Sequence, residues 1–106
     1  MNPKTQIILR ELRLQLEQTY GERLAQVILF GSQARKDAVE TSDIDVMVVL
    51  KGYVSPGKEI LDTGEIAAAL SLKYDVVVSC IFVSEERFKN EQSPLLLNVR
   101  KEGVAA

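Results

Sequence analysis

The beginning of the chain has the hydrophobic spacing of an amphipathic helix. Between Thr5 and Tyr20, apolar residues recur at steps of three and four positions, and polar residues occupy most of the positions between them. The recurring apolar residues are Ile8, Leu9, Leu12 and Leu16. We therefore expect one helix over this range, ending near Gly21.

Three short apolar runs predict β-strands. They extend from Gln26 to Phe30, from Asp43 to Leu50 and from Tyr74 to Val83, and β-branched residues are frequent in them. Turn-forming residues follow the first two runs. Because runs of this length end at turns, strands are favoured over fragments of a buried helix.

Helical segments alternate with these strands. We expect a helix to begin at Ser32, a longer one from Lys58 to Leu72, a short one at Ser84 and a closing one from Leu95 to Glu102. Ser84 is the predicted N-cap of the short helix, and Ser93 with Pro94 forms the predicted start of the closing one. The alternation predicts an α/β (α+β) fold, in which helices pack on a small mixed sheet of about three main strands. At 106 residues, the chain is expected to form a single domain over residues 1–106.

The composition excludes several classes of site. The chain contains one cysteine, Cys80, and no histidine, so it has no intrachain disulfide, no zinc site of the usual Cys/His type and no histidine-based triad. The formal net charge is −2, which provides no overall positive field for a phosphate backbone. We therefore expect no direct nucleic-acid binding.

The distribution of apolar residues also predicts where the protein is found. No stretch approaches the roughly 20 apolar residues of a membrane span. The segment from Met1 to Arg10 lacks the continuous apolar core of a secretion signal. We therefore expect a soluble, cytoplasmic protein that does not associate with membranes.

A pair of acids follows a Gly-Ser turn and indicates metal chemistry. Asp43 and Asp45 are two positions apart in a predicted strand, so their side chains project to the same face. Neighbouring carboxylates repel each other, and a fold that keeps both usually supplies a cation. Mg²⁺ prefers oxygen ligands and leaves room for substrate phosphates, and two such ions could bridge the attacking and leaving oxygens.

The residues of the turn itself are suited to phosphate. Gly31 permits close backbone approach or a positive φ, and a helix beginning at Ser32 would offer free backbone N–H groups and a hydroxyl. Arg35 would lie about one turn further on, where its guanidinium could hold another phosphate oxygen. A phosphate-binding turn that faces a metal site indicates nucleotide transfer.

This combination resembles the DNA polymerase β-like nucleotidyltransferase superfamily, which has a Gly-Ser turn, a spacer, an Asp-x-Asp strand and a third acid on a later strand. The spacer runs here from Gln33 to Ser42, and its length is similar to that of the minimal nucleotidyltransferase (MNT) branch. Ser42 to Val46 is the most specific stretch. The resemblance covers essentially the whole chain and implies a nucleotidyltransferase-like core.

The resemblance also implies a set of catalytic acids. Asp75 is the only carboxylate between Tyr74 and Val83, and it takes the place of the third acid. Asp43, Asp45 and Asp75 would bind two Mg²⁺ ions and act as the catalytic residues. Asp75 would help to remove the proton from the attacking hydroxyl.

A donor and a partner are implied in the same way. Gly31, Ser32 and Arg35 would hold the β- and γ-phosphates of a nucleoside triphosphate, by family resemblance ATP. Free-standing proteins of this size resemble the antitoxin of HEPN/MNT toxin–antitoxin modules, which can adenylylate a tyrosine of their HEPN partner. The resemblance therefore implies an adenylyltransferase with a HEPN-type partner, and we expect a homo- or hetero-oligomer.

Other interpretations stay open at this level. The chain could be a non-catalytic antitoxin that binds nucleotide or acts as a scaffold, or a transferase with a small-molecule acceptor. Asp75 could only solvate a helix-to-strand turn, Arg35 could be an ordinary exposed charge, and Ser42 could cap a turn. Cys80, within an apolar strand, is better explained as an inert core residue.

Overall fold

The computed structural model describes residues 3–35 and 43–106, without the side chain of Arg35. Within these ranges the helices are α1 (Pro3–Tyr20), α2 (Ser32–Arg35), α3 (Pro56–Tyr74), α4 (Glu85–Asn90) and α5 (Pro94–Glu102). The strands are β1 (Leu24–Phe30), β2 (Ile44–Leu50), β3 (Val78–Ser84) and β4 (Val104–Ala105). None of these helices has the length and hydrophobicity needed to cross a membrane.

The strands form one mixed sheet in the order β3, β2, β1, β4. β1 runs antiparallel to both β2 and β4, whereas β2 and β3 are parallel. The predicted α+β fold and its three main strands are confirmed. The sequence does not predict β4, which is two residues long and pairs with β1.

The close approach of α5 to β1 explains this additional strand. A Cβ atom on Gly103, directly after α5, would lie 2.5 Å from Ile28 Cγ2 and 2.5 Å from the carbonyl oxygen of Val99. Glycine therefore lets the chain pass tightly over β1, where Val104 pairs with Leu29.

Helices cover both faces of the sheet. On one face, Leu12 and Leu16 of α1 pack in the same buried cluster as Val46 of β2, which confirms the predicted amphipathic helix. On the other face, Leu96 of α5 packs with Met47. β2 is thus enclosed from both sides, which explains why its apolar residues run almost without interruption.

Two helix starts have the predicted serine caps. Ser84 Oγ accepts a hydrogen bond from the Arg87 backbone N–H at 3.1 Å, and Ser93 Oγ accepts one from the Leu96 N–H at 3.4 Å. The second cap begins α5, the helix that packs on the face of the sheet containing Met47.

The predicted start of the third strand is wrong. α3 continues to Tyr74, and Asp75 caps it in a left-handed conformation with φ of 53°. The Asp75 N–H donates to the carbonyl of Ser71, as is common at a helix C-terminus. β3 begins only at Val78, because the helix and its cap take up the first residues of the run.

Candidate active site

The paired acids lie at the start of β2. Asp43 directly precedes the strand and is exposed, whereas Asp45 is its second residue and is partly buried. Asp45 pairs with Phe30 of β1 and with Ser79 of β3. Because side chains alternate along a strand, Asp45 shares a face with Met47, on the side of the sheet covered by α5. Asp43 is close enough for its charge to act on Asp45, so the structure brings two carboxylates together at this end of β2.

The surroundings of Asp45 disfavour the ionised form of its carboxyl group. Burial raises the pKa of Asp45, and the charge of Asp43 raises this pKa further. Within residues 3–35 and 43–106, neither carboxylate takes part in an ion pair or a side-chain hydrogen bond. Hard oxygen donors fit Mg²⁺, so Asp43 and Asp45 are the residues that would hold this ion.

The turn after β1 lies against the same carboxylate. Gly31 has φ of +75°, in the left-handed region that favours glycine. A Cβ atom on Gly31 would lie 2.6 Å from Asp45 Oδ2, so any other residue would displace that oxygen. Ser32 follows as the first residue of α2 and is partly buried. The predicted turn and the predicted acids thus meet at one point.

Arg35 of the predicted site and Ser42 of the family motif lie outside the described side chains. The side chain of Arg35 and the whole of Ser42 are not among the described atoms. The predicted phosphate contact of Arg35 and the cap at Ser42 therefore stay predictions.

Asp75 occupies a different position from the two other acids. It is exposed at the C-terminus of α3, and Ser79 rather than Asp75 pairs with Asp45 in the sheet. The Ile44 N–H donates to the Val77 carbonyl at 2.8 Å, which puts Asp75 two residues upstream of the point where the strands first meet. Among the described residues, no three acids or thiols are arranged to hold a metal ion. The catalytic role of Asp75 stays a prediction.

Cys80 has the properties expected of a structural thiol. It packs against the buried cluster that includes Val46 and Phe82. Burial raises the pKa of the Cys80 thiol to about 11, so the nucleophilic thiolate is scarce near neutral pH. The site must use other groups.

A cavity of about 240 Å³ opens beside the turn. Its walls are Phe30, Gly31, Leu95, Asn98, Val99 and Glu102. Since Gly31 also borders Asp45, the cavity adjoins the paired acids. Sequence reasoning missed Asn98 and Glu102 because they resemble ordinary polar positions of an amphipathic helix. The local feature that could have indicated a shared role is their spacing of four residues, but this spacing occurs on most helices.

Asp45→Asn is expected to raise the melting temperature of the metal-free protein near neutral pH. An acid whose pKa is raised in the folded state holds its proton more tightly there than in the unfolded chain, so stability falls as pH rises through its titration range. The Asp45→Asn variant is neutral at this position and does not lose stability in this way. The difference in melting temperature between the variant and wild type should become smaller in mildly acidic buffer. Circular dichroism melts measure the effect, with exposed Glu86→Gln as the control. Equal melting temperatures for Asp45→Asn and wild type would contradict this prediction.

The family model of the nucleotidyltransferase domain matches residues 9–104. The chain belongs to the nucleotidyltransferase family. The matched range includes the Gly31 turn, Asp43 and Asp45. The family membership, the fold and the enzyme class predicted from the sequence are confirmed.

Two relatives from Methanocaldococcus jannaschii are named as candidate protein adenylyltransferases. The first is 39% identical over 74 residues, which cover 70% of this chain and 74% of the relative. The second is 41% identical over 76 residues, which cover 72% of this chain and 70% of the relative. This nucleotidyltransferase is therefore similar to both over most of its length.

A solved toxin–antitoxin structure with AMP-PNP has a chain of the same fold. The TM-score is 0.61 at 20% sequence identity, and the match covers 89% of this chain and 68% of that chain. At this identity the likeness shows the fold alone.

Proposed function

We propose that this nucleotidyltransferase transfers AMP from ATP to a hydroxyl group in a Mg²⁺-dependent reaction, and that the hydroxyl belongs to a tyrosine of a HEPN-type toxin. In this role the chain is the antitoxin of a two-protein module. The observation that carries the proposal is the approach of the Gly31 turn to Asp45, because it puts a glycine turn suited to phosphate next to a pair of acids.

The residues around this point would form the donor site. The backbone of Gly31 can come close to phosphate oxygens, and Ser32 adds a hydroxyl donor. Asp43 and Asp45 would hold Mg²⁺, which when bound offsets the negative charge of the phosphates. Arg35 would contact a phosphate oxygen that the backbone does not reach.

The transfer step also needs a base. The acceptor oxygen forms a bond to the α-phosphorus, the bond from this phosphorus to the bridging oxygen breaks, and pyrophosphate leaves. The acceptor proton passes to the carboxylate of Asp75. Because Asp75 is exposed at the end of α3, an acceptor presented by another protein can reach it.

The relatives support a protein acceptor and an adenosine donor. Two of them are named as candidate protein adenylyltransferases. The toxin–antitoxin structure contains AMP-PNP, which is an analogue of ATP. These names agree with the chemistry proposed from the acids and the turn of this chain.

A second candidate function is neutralisation of the toxin by contact alone. The side chains of Leu61 and Leu72 in α3 are 83% and 85% exposed, and they lie on one side of the helix because eleven residues make about three turns. Apolar side chains this exposed are accessible for contact with another protein. An antitoxin that uses this surface would not need the acids.

Transfer of radiolabel distinguishes the two candidates. The purified chain is incubated with α-labelled ATP, Mg²⁺ and the protein encoded by the neighbouring gene. We expect label on a tyrosine of that partner, located by mass spectrometry, and no label when the metal is chelated. A stable complex that never becomes labelled would overturn the proposed transfer and favour neutralisation by contact.

A further inference from the structure

The cavity beside Gly31 has dimensions suited to one ring system. Its volume is about 240 Å³, somewhat below the roughly 300 Å³ at which pockets for whole ligands begin. Gly31 forms part of its wall and also borders Asp45. A nucleotide whose phosphates contact the turn could therefore place its base in this cavity.

The walls of the cavity combine apolar surface with two polar groups. Phe30, Leu95 and Val99 provide surface for the faces of a ring. Asn98 and Glu102 follow each other by one turn of α5, which separates their Cβ atoms by about 6 Å. In the described part of the chain, neither side chain has a hydrogen bond or an ion pair. Both groups are available to a ligand.

A larger cavity elsewhere does not have these properties. It measures about 520 Å³ and lies between the loop containing Gly52 and the start of α4. Neither Gly31 nor the paired acids line it, and its charged wall residues are Glu85, Glu86 and Arg87. A base bound there would not lie beside the turn and the acids proposed to hold the phosphates.

We propose that the cavity next to Gly31 binds the adenine of the nucleotide donor and that Asn98 and Glu102 determine base specificity. The inference rests on the proposed function and extends it to the choice of nucleotide. An asparagine amide can pair with adenine N6 and N7 at once, and the Glu102 carboxylate accepts the remaining hydrogen of the amino group. Guanine carries a carbonyl oxygen in that place, which the carboxylate repels.

Binding measurements with three probes test this assignment. ATP, GTP and inorganic tripolyphosphate are titrated by calorimetry in the presence of Mg²⁺. We expect the wild-type chain to prefer ATP to GTP. In Glu102→Gln the new amide can donate to guanine, so the ATP preference should fall roughly tenfold, the factor for one hydrogen bond to a charged group. Asn98→Ala should weaken ATP binding by a similar factor.

Titration with tripolyphosphate shows whether the substitutions change the binding of the base or the binding of the phosphates. Its affinity should be unchanged in both variants, since it has no base. Glu65→Gln, at an exposed position of α3, removes the same charge and should behave as wild type. An ATP preference that survives Glu102→Gln, or equal losses for ATP and tripolyphosphate, would overturn the assignment and leave the proposed function intact. If the wild-type chain binds neither ATP nor tripolyphosphate, both the assignment and the proposed function are overturned.

Discussion

Asp43→Asn combined with Asp45→Asn is expected to slow nucleotidyl transfer by roughly a thousandfold or more. Charge stabilisation by a metal contributes several kcal/mol to such reactions, and each 1.4 kcal/mol is about a factor of ten. Asparagine keeps the shape of aspartate but removes the charge that would hold Mg²⁺. The rate is measured as release of pyrophosphate and as label transferred from ATP to the partner.

The matched control for this double variant removes two acids elsewhere. Glu65→Gln combined with Glu86→Gln changes the net charge equally at exposed positions of α3 and α4 and should keep the wild-type rate. Transfer by the Asp43 and Asp45 variant at more than about a tenth of the wild-type rate would contradict the metal site. An inactive variant that still neutralises the toxin would assign the antitoxin effect to contact.

Gly31→Ala is expected to lower the transfer rate roughly a hundredfold while the protein stays folded. The new Cβ atom would lie 2.6 Å from Asp45 Oδ2, so the carboxylate must rotate away. A displacement of about 1 Å in a catalytic group can cost a factor of this size. Alanine at this positive φ is strained, which lowers the free energy of unfolding by about 1 kcal/mol. Urea denaturation and the transfer assay measure the two effects separately.

Gly52→Ala distinguishes the effect of the contact with Asp45 from the effect of backbone strain. Gly52 has φ of +78°, close to that of Gly31, but a Cβ atom there would meet nothing within 4 Å. Both variants should lose similar stability, and only Gly31→Ala should lose activity. If the two variants transfer AMP equally well, Gly31 does not act through Asp45.

The sequence predicted the elements whose signals are local. The periodic apolar residues of α1 specify which side is buried, because a helix repeats every 3.6 residues. The alternation of the run from Asp43 to Leu50 likewise predicted that Asp43 and Asp45 would be neighbours. Ser84 and Ser93 could be recognised as caps because a cap depends on residues within one turn.

The position of Asp75 shows where such reasoning stops. The apolar run from Tyr74 to Val83 has strand-forming composition, yet α3 extends into it and Asp75 becomes the helix cap. Propensity does not determine where a helix ends when packing against the sheet stabilises two additional residues.

The Gly31 turn and the paired acids were thus determined by the sequence itself, since their geometry depends on neighbours along the chain. Only the tertiary structure decided that Gly31 touches Asp45, that β4 joins the sheet and that Asn98 and Glu102 line a cavity beside them. These contacts join segments far apart in sequence. The contact of Gly31 with Asp45 arises from the pairing of β1 with β2. The other two features arise from the packing of α5 and the residues after it on the sheet, and no local periodicity encodes such packing.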